Sequence, residues 1–149
     1  MTAGNTVRLH RVLRAPPERV YRAFLDPGAL CKWLPPYGYT GRMHHFEGRV
    51  GGSYRMSFTS LATGDTHSFE ARFLELVPDE RIVHTDTFDD PALPGQMTVT
   101  VTLVRVSCGT ELHVVQEGIP APIPPEACYV GWQESLVQLA NLVESQATG

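Results

Sequence analysis

The side chains best placed to do chemistry are those of His84 and Asp86, which lie two residues apart in the segment IVHTDTF. Residues two apart on a β-strand point to the same face, and here that face also carries Ile82 and Phe88. Buried imidazole and carboxylate groups need partners, which would be each other, water or a ligand. The pair could therefore hold a proton or orient a polar group of a ligand. The alternative is a satisfied polar patch near a strand end, or exposure at the sheet edge.

A second candidate is the stretch GRMHHFEGRVGGSYR, residues 41–55, which combines adjacent histidines with a glycine pair. Neighbouring strand residues point to opposite faces, so His44 and His45 cannot both bind one ion from regular β geometry. We expect one surface-facing and one inward imidazole, and no metal site. Gly51-Gly52 lacks the lysine of a phosphate-binding loop and is followed by a strand pattern. The stretch therefore predicts a β-hairpin with a glycine turn.

Covalent and cofactor chemistry have no support in the sequence. There is no G-x-S-x-G motif and no glycine-rich cofactor fingerprint. The three cysteines, Cys31, Cys108 and Cys128, are an odd number without C-x-x-C spacing. This pattern favours reduced thiols in a cytosolic protein, and no cofactor is expected.

Length and charge set the class of protein. A chain of 149 residues has the size of one domain, predicted here as residues 1–149. The net charge is -4, and the 12 Lys and Arg residues are scattered singly, which argues against nucleic acid or an anionic membrane as a partner. The first residues lack a signal-peptide pattern, and no apolar run reaches membrane length. We therefore expect a cytoplasmic protein without membrane insertion.

The elements that must position these residues follow from the periodicity of apolar side chains. A first strand is expected over 6–13, followed by a helix between Ala15-Pro16-Pro17-Glu18 and Asp26-Pro27-Gly28 and by a short helix over 29–34. The period then switches to two, which predicts strands over 41–48, 51–60, 66–77, 80–88, 96–106 and 109–117. A stiff proline loop, 118–125, precedes a long helix over 125–146. Its apolar stripe is formed by Cys128, Trp132, Leu136, Leu139 and Val143.

Short turns between successive strands predict an antiparallel sheet, which needs one face covered. The last helix is the element long enough to cover it. A curved sheet need not close fully against one helix, so a cavity between them is expected.

Several segments, taken in their order along the chain, resemble those of one known superfamily. They are RVLRAPPERVY (11–21), DP (26–27), KWLPP (32–36), VGGSY (50–54), LVPDERIV (76–83), GTEL (109–112) and GW (131–132). The chain resembles the START-like, or SRPBCC, superfamily, which includes Bet v 1-like allergens and polyketide cyclases. Within it, residues 6–145 are most similar to the bacterial family related to the C-terminal domain of activators of the Hsp90 ATPase.

The resemblance implies an α+β helix-grip fold. This is a curved antiparallel sheet of six to seven strands around a long C-terminal helix, with two short helices after the first strand. It also implies a cavity for small apolar or amphipathic molecules. Lipid carriers, cyclases and co-chaperone modules share this scaffold, so the fold alone leaves the function open.

The leading hypothesis is a cytosolic binding protein for a small, largely apolar ligand, with the proline loop as a gate. The predicted site has apolar walls and a few orienting polar groups, namely Trp33, Tyr54, Met56, Phe58, Phe69 and Trp132 for the walls and His84, Asp86 and Gln116 for the polar groups.

One alternative is a cyclase- or hydratase-type enzyme with His84 as general acid–base and Asp86 orienting it. Another is a protein-interaction module with an Hsp90-like chaperone as partner. A homodimer is left open.

Overall fold

The computed structural model describes residues 5–145. Seven antiparallel strands form one curled sheet in the order β1-β7-β6-β5-β4-β3-β2. Their bounds are β1 Val7–Leu13, β2 Tyr39–Phe46, β3 Ser53–Ser60, β4 Thr66–Val77, β5 Arg81–Phe88, β6 Met97–Val106 and β7 Gly109–Glu117. The predicted meander is confirmed, and β1 returns to pair with β7. Because β1 and β2 end the order, they are the two edge strands.

Two short helices follow β1, α1 over Pro17–Phe24 and α2 over Pro27–Trp33. Proline occupies the first turn of each, where no backbone N–H is needed. The Asp26 carboxylate accepts hydrogen bonds from the N–H groups of Gly28 and Ala29, at 2.9 and 3.3 Å. The residue predicted to end α1 therefore also caps α2.

The long helix α3, Pro125–Ser145, has two unequal halves. Its second half is packed into the core through Ser135, Leu136, Leu139, Ala140 and Val143. In its first half the side chains of Tyr129 and Val130 are 42% and 51% exposed. Only part of the predicted stripe is therefore buried, because the sheet and α3 diverge toward the start of the helix.

The helix-grip architecture predicted from the resemblance is confirmed. The hairpin of β2 and β3 is confirmed too, but its loop spans residues 47–52 instead of a two-residue turn. The loop is longer because Gly51 and Gly52 form backbone hydrogen bonds to Phe73 of β4, both at 2.9 Å. Gly51 has a φ of 83°, the conformation for which glycine was expected here.

The expected placement of His44 and His45 on opposite faces is wrong. A β-bulge shifts the register of β2 between Met43 and His45. As a result His44 contacts the Ser57 hydroxyl at 2.6 Å and His45 contacts the Ser53 hydroxyl at 3.1 Å. Both imidazoles thus lie exposed on the outer face of the sheet, and the two β3 residues that they contact are four positions apart.

Candidate ligand-binding cleft

A cleft with a volume of about 820 Å³ lies between the inner face of the sheet, the end of α2 and the first half of α3. It is the space left where α3 diverges from the sheet. Most of its lining is apolar and aromatic. The sheet contributes Tyr39, Tyr54, Phe58, His67, Phe69, Phe73, Ile82, His84, Asp86, Phe88, Met97 and Gln116, and the helices contribute Phe24, Leu30, Trp33, Ala127, Cys128, Val130, Gly131, Trp132, Glu134 and Ser135 among others.

The structure brings most of the predicted site residues together around this cleft. The lining includes Trp33, Tyr54, Phe58, Phe69, His84, Asp86, Gln116 and Trp132. Met56 is fully buried and does not line it. Its Cε lies 3.0 Å from the position that a Cβ on Gly41 would take, so the side chain packs under β2 instead. The alternation of strand residues predicts on which face of the sheet Met56 lies, but it does not predict which neighbouring residue covers the side chain.

His84 and Asp86 form an ion pair on β5, with 2.8 Å between Nδ1 of His84 and Oδ1 of Asp86. Their side chains are only 10% and 13% exposed. Burial alone lowers the pKa of the His84 imidazole. The negative charge of Asp86, its hydrogen bond and a backbone hydrogen bond at Thr85 outweigh burial, so the pKa lies above the ordinary value of 6.5. Asp86 therefore stabilises the protonated form of the imidazole in the cleft.

Tyr54 adds a hydroxyl group that the sequence did not mark as functional. Its ring is 3% exposed, lines the cleft and meets the His84 ring edge-on, with 6.2 Å between centroids. Burial first, and then the charge of Asp86, raise its pKa well above 10, so the phenol stays protonated. Among residues 5–145 the hydroxyl has no hydrogen-bond partner. It is thus a donor available to a molecule in the cleft.

Gln116 was expected to orient a ligand, but its amide already has partners. It accepts a hydrogen bond from the Trp132 indole Nε1 at 3.1 Å and donates to the Met97 sulfur at 3.4 Å. These bonds tie the first half of α3 to β6 and β7 across one end of the cleft. We therefore assign Gln116 a positioning role for Trp132.

The rim contains residues that sequence reasoning did not name. His67 precedes Phe69 by two residues on β4, so the alternation used for Phe69 could have found it. Burial lowers its pKa, which leaves the ring neutral at neutral pH. Tyr37 and Tyr39 follow the Pro35-Pro36 pair, where no periodicity gives a direction. Tyr37 is 52% exposed, and its backbone N–H donates to Glu134 of α3 at 3.1 Å.

Cys128 is the cysteine that lines the cleft. Burial raises the pKa of its thiol, which keeps it protonated and poorly nucleophilic. This agrees with the absence of a nucleophile motif in the sequence.

A curled antiparallel sheet that grips a C-terminal helix over an internal cleft defines the helix-grip, START-like class of proteins. The chain belongs to the family described as Activator of Hsp90 ATPase homolog 1-like protein, whose model matches residues 14–144. Within residues 5–145, none of the helices has the length and apolar character needed to cross a bilayer.

Solved structures support this assignment. Protein CV1439 from Chromobacterium violaceum is 63% identical to this chain over 94% of it and 97% of that protein, with a TM-score of 0.93. The Q3J4M4_RHOS4 protein from Rhodobacter sphaeroides shares the fold at 24% identity, with coverage of 97% and 95% and a TM-score of 0.83. Protein NE0264 from Nitrosomonas europaea shares it at 21% identity, with full coverage of both chains and a TM-score of 0.80. No curated protein matches the chain.

Proposed function

We propose that this chain is a cytosolic small-molecule binding protein. Its ligand would have an apolar, ring-containing body and one oxygen acceptor, either a carbonyl or a carboxylate. The observation that carries the proposal is the aromatic cleft whose lining brings the Tyr54 hydroxyl close to the His84–Asp86 pair.

Size and lining support the apolar body of the ligand. A cleft of about 820 Å³ lies within the range of roughly 300–1,000 Å³ typical of small-molecule sites. Trp33, Phe58, Phe69 and Trp132 contribute aromatic rings to its lining. Aromatic pairs prefer offset or edge-to-face contacts, which this arrangement offers to a planar ligand.

Charge and hydrogen bonding support the acceptor oxygen. The Tyr54 hydroxyl is a donor, and it lies beside the His84 imidazole, whose protonated form the Asp86 carboxylate stabilises. A ligand without an acceptor would leave the Tyr54 donor unpaired in a buried site, at a cost of roughly 1–3 kcal/mol.

A dye with rings and an anionic group, 1-anilinonaphthalene-8-sulfonate, is a suitable probe for the proposal. Gly131 lines the cleft, and a Cβ there would meet no atom within 4 Å, so Gly131→Leu places an apolar side chain in the free space. We expect this variant to weaken dye binding by more than about tenfold, or about 1.4 kcal/mol. Gln133→Leu, an exposed change on the same helix, is the matched control and should bind as wild type does.

Tyr54→Phe tests the polar end, because it removes one hydroxyl without removing any hydrogen bond within the described chain. We expect weaker dye binding with unchanged thermal stability. Equal affinity for wild type, Gly131→Leu and Gln133→Leu would place the dye outside the cleft and refute the proposal. Independently of the dye, native mass spectrometry of protein purified gently from its host identifies the class of the natural ligand.

A second candidate is a cyclase- or hydratase-type enzyme in the same cleft. The His84–Asp86 pair favours it, since an imidazole held in place by a carboxylate is suited to general acid–base catalysis. Turnover of a carbonyl compound that is lost in His84→Gln, while binding is retained, would support this function.

A chaperone-binding module is the third candidate, favoured by the exposed side chains of Tyr129 and Val130 on the first half of α3. Capture of an Hsp90-type chaperone that persists in Gly131→Leu would separate this function from ligand binding.

A further inference from the structure

A cluster of two histidines and a glutamate lies on the outer face of the sheet, on the side opposite the cleft. His10 of β1 and His113 of β7 are direct cross-strand partners. Glu111 lies two residues before His113 on β7 and so shares its face. The three side chains are 35–52% exposed and reach toward the solvent side of one sheet edge.

The ligand atoms of the cluster already converge. His10 Nε2 lies 3.0 Å from Oε2 of Glu111, and His113 Nε2 lies 3.3 Å from Oε1 of the same carboxylate. All three ligand atoms lie within 4.8 Å of one another. Nitrogen and oxygen ligands sit about 2.0–2.2 Å from a tetrahedral Zn²⁺, which places them roughly 3.3–3.5 Å apart. The two distances, each to a different oxygen of the Glu111 carboxylate, are close to that spacing.

We propose that His10, Glu111 and His113 form a binding site for a divalent transition-metal ion of the Zn²⁺, Ni²⁺ or Cu²⁺ class. Two imidazoles and one carboxylate are ligands that these ions take, and they exclude Ca²⁺ and Mg²⁺, which prefer oxygen alone. Three protein ligands leave a fourth position open to water or to an external group.

The charges of the cluster agree with metal binding. Each imidazole contacts one oxygen of the Glu111 carboxylate, so the anionic ligand already faces both nitrogens. Two protonated imidazoles facing each other across two strands would repel, whereas neutral imidazoles can share an ion. By the alternation of β1 and β7, the other charged side chains on this face are Arg8 and Glu117, each near one end of its strand.

A metal ion here would cross-link the sheet edge. Strand β1 has β7 as its one neighbour in the sheet. An ion held by His10 on one side and by Glu111 and His113 on the other therefore joins the edge strand to the sheet by coordination as well as by hydrogen bonds. Because such an ion binds the folded state, it should raise the melting temperature.

Titration of the full chain with Zn²⁺, followed by calorimetry at pH 7.5, tests the site. The Cys108→Ser variant serves as the parent, because Cys108 is an exposed thiol that would compete for zinc. We expect one ion per chain. His10→Gln, His113→Gln and Glu111→Gln should each weaken binding by more than about tenfold. Loss of an outer-shell partner alone typically lowers metal affinity by roughly 10- to 100-fold. His44→Gln, another exposed histidine on the outer face, is the matched control and should leave the affinity unchanged.

Electron paramagnetic resonance of the same proteins with Cu²⁺ gives a second readout that does not depend on stability. Coupling to two imidazole nitrogens is expected in the parent, and to one in His10→Gln or His113→Gln. Absence of binding, or binding that the three substitutions leave unchanged, would overturn the proposal.

Discussion

At the scale of single residues, the charge on His84 is set by Asp86. The ring is buried among Tyr54 and Phe73, with centroids 6.2 and 6.1 Å away, and such surroundings by themselves favour the neutral imidazole. The ion pair with Asp86 outweighs them and raises the pKa of His84 above 6.5.

Replacing Asp86 by Asn should therefore reverse the direction of the shift. We expect His84 to titrate above 6.5 in the wild type and below 6.5 in Asp86→Asn, where burial remains but the charge is lost. Nuclear magnetic resonance of the imidazole protons across pH 5–9 measures both values. Overlapping titration curves would show that Asp86 does not control the charge of His84.

The same pair should make stability depend on pH. A pKa raised in the folded state stabilises the fold fully below the unfolded value of about 6.5, and this contribution is lost as the pH rises through the folded pKa. The difference in free energy of unfolding between wild type and Asp86→Asn should thus be larger at pH 6 than at pH 9. Urea denaturation at the two pH values measures it, and a difference that grows toward pH 9 would contradict the assignment.

The sequence was informative on which of these side chains point inward, because a period of two assigns a face to every strand residue. It predicted His84 and Asp86 on the face of the cleft for this reason. It could not predict that the Tyr54 hydroxyl lacks a partner within the described part of the chain or that Gln116 has two. Hydrogen-bond partners come from other strands and from α3, and alternation within one strand carries no information about them.

At the scale of elements, Gly109 and Gly131 differ in the space that a side chain would have. Gly109 follows the Ser107-Cys108 turn between β6 and β7, and a Cβ there would lie 2.2 Å from the Leu13 carbonyl oxygen and 2.7 Å from the Ala15 nitrogen. These are backbone atoms at the end of β1, which cannot move aside cheaply. Gly131, inside α3, faces open space.

Alanine at these two positions should therefore have effects of opposite sign. Gly109→Ala forces the backbone contacts apart and should destabilise the fold by about 1–3 kcal/mol. Gly131→Ala gains helix propensity without a clash and should stabilise the fold by up to about 1 kcal/mol. Thermal and urea denaturation of the two variants compare them directly. Equal destabilisation by both would mean that the space beside Gly131 is filled in solution.

The elements themselves were largely predictable, since each strand and helix has its own periodicity and its own turn residues. The β-bulge at β2 was not. An extra residue in a strand shifts the faces of the residues beyond it. Met43 and Phe46 both pack against the core although they are three residues apart, and this odd spacing was the signal that a strict period of two overlooks.

At the scale of the whole molecule, the cleft exists because α3 is gripped over only half its length. Leu136, Leu139 and Val143 anchor the second half, while the first half is held to the sheet by the Trp132–Gln116 hydrogen bond and to the α2–β2 segment by the Glu134–Tyr37 bond. Amphipathicity predicts that a helix covers the sheet. It does not predict where the two surfaces separate, because that depends on the curl of all seven strands.

Uneven anchoring predicts uneven opening of the helix, which amide hydrogen exchange can measure. We expect amides of residues 129–134 to exchange faster than those of 135–143, since fewer buried apolar contacts oppose local opening of the first half. Residues 125–128 are left out of the comparison because the first amides of a helix lack helical partners.

If the cleft binds ligands, 1-anilinonaphthalene-8-sulfonate should slow exchange over 129–134 far more than over 135–143. Gly131→Leu should abolish this dye-dependent protection while Gln133→Leu keeps it. Uniform exchange along α3, with or without dye, would mean that the helix opens as one unit and would contradict the uneven anchoring.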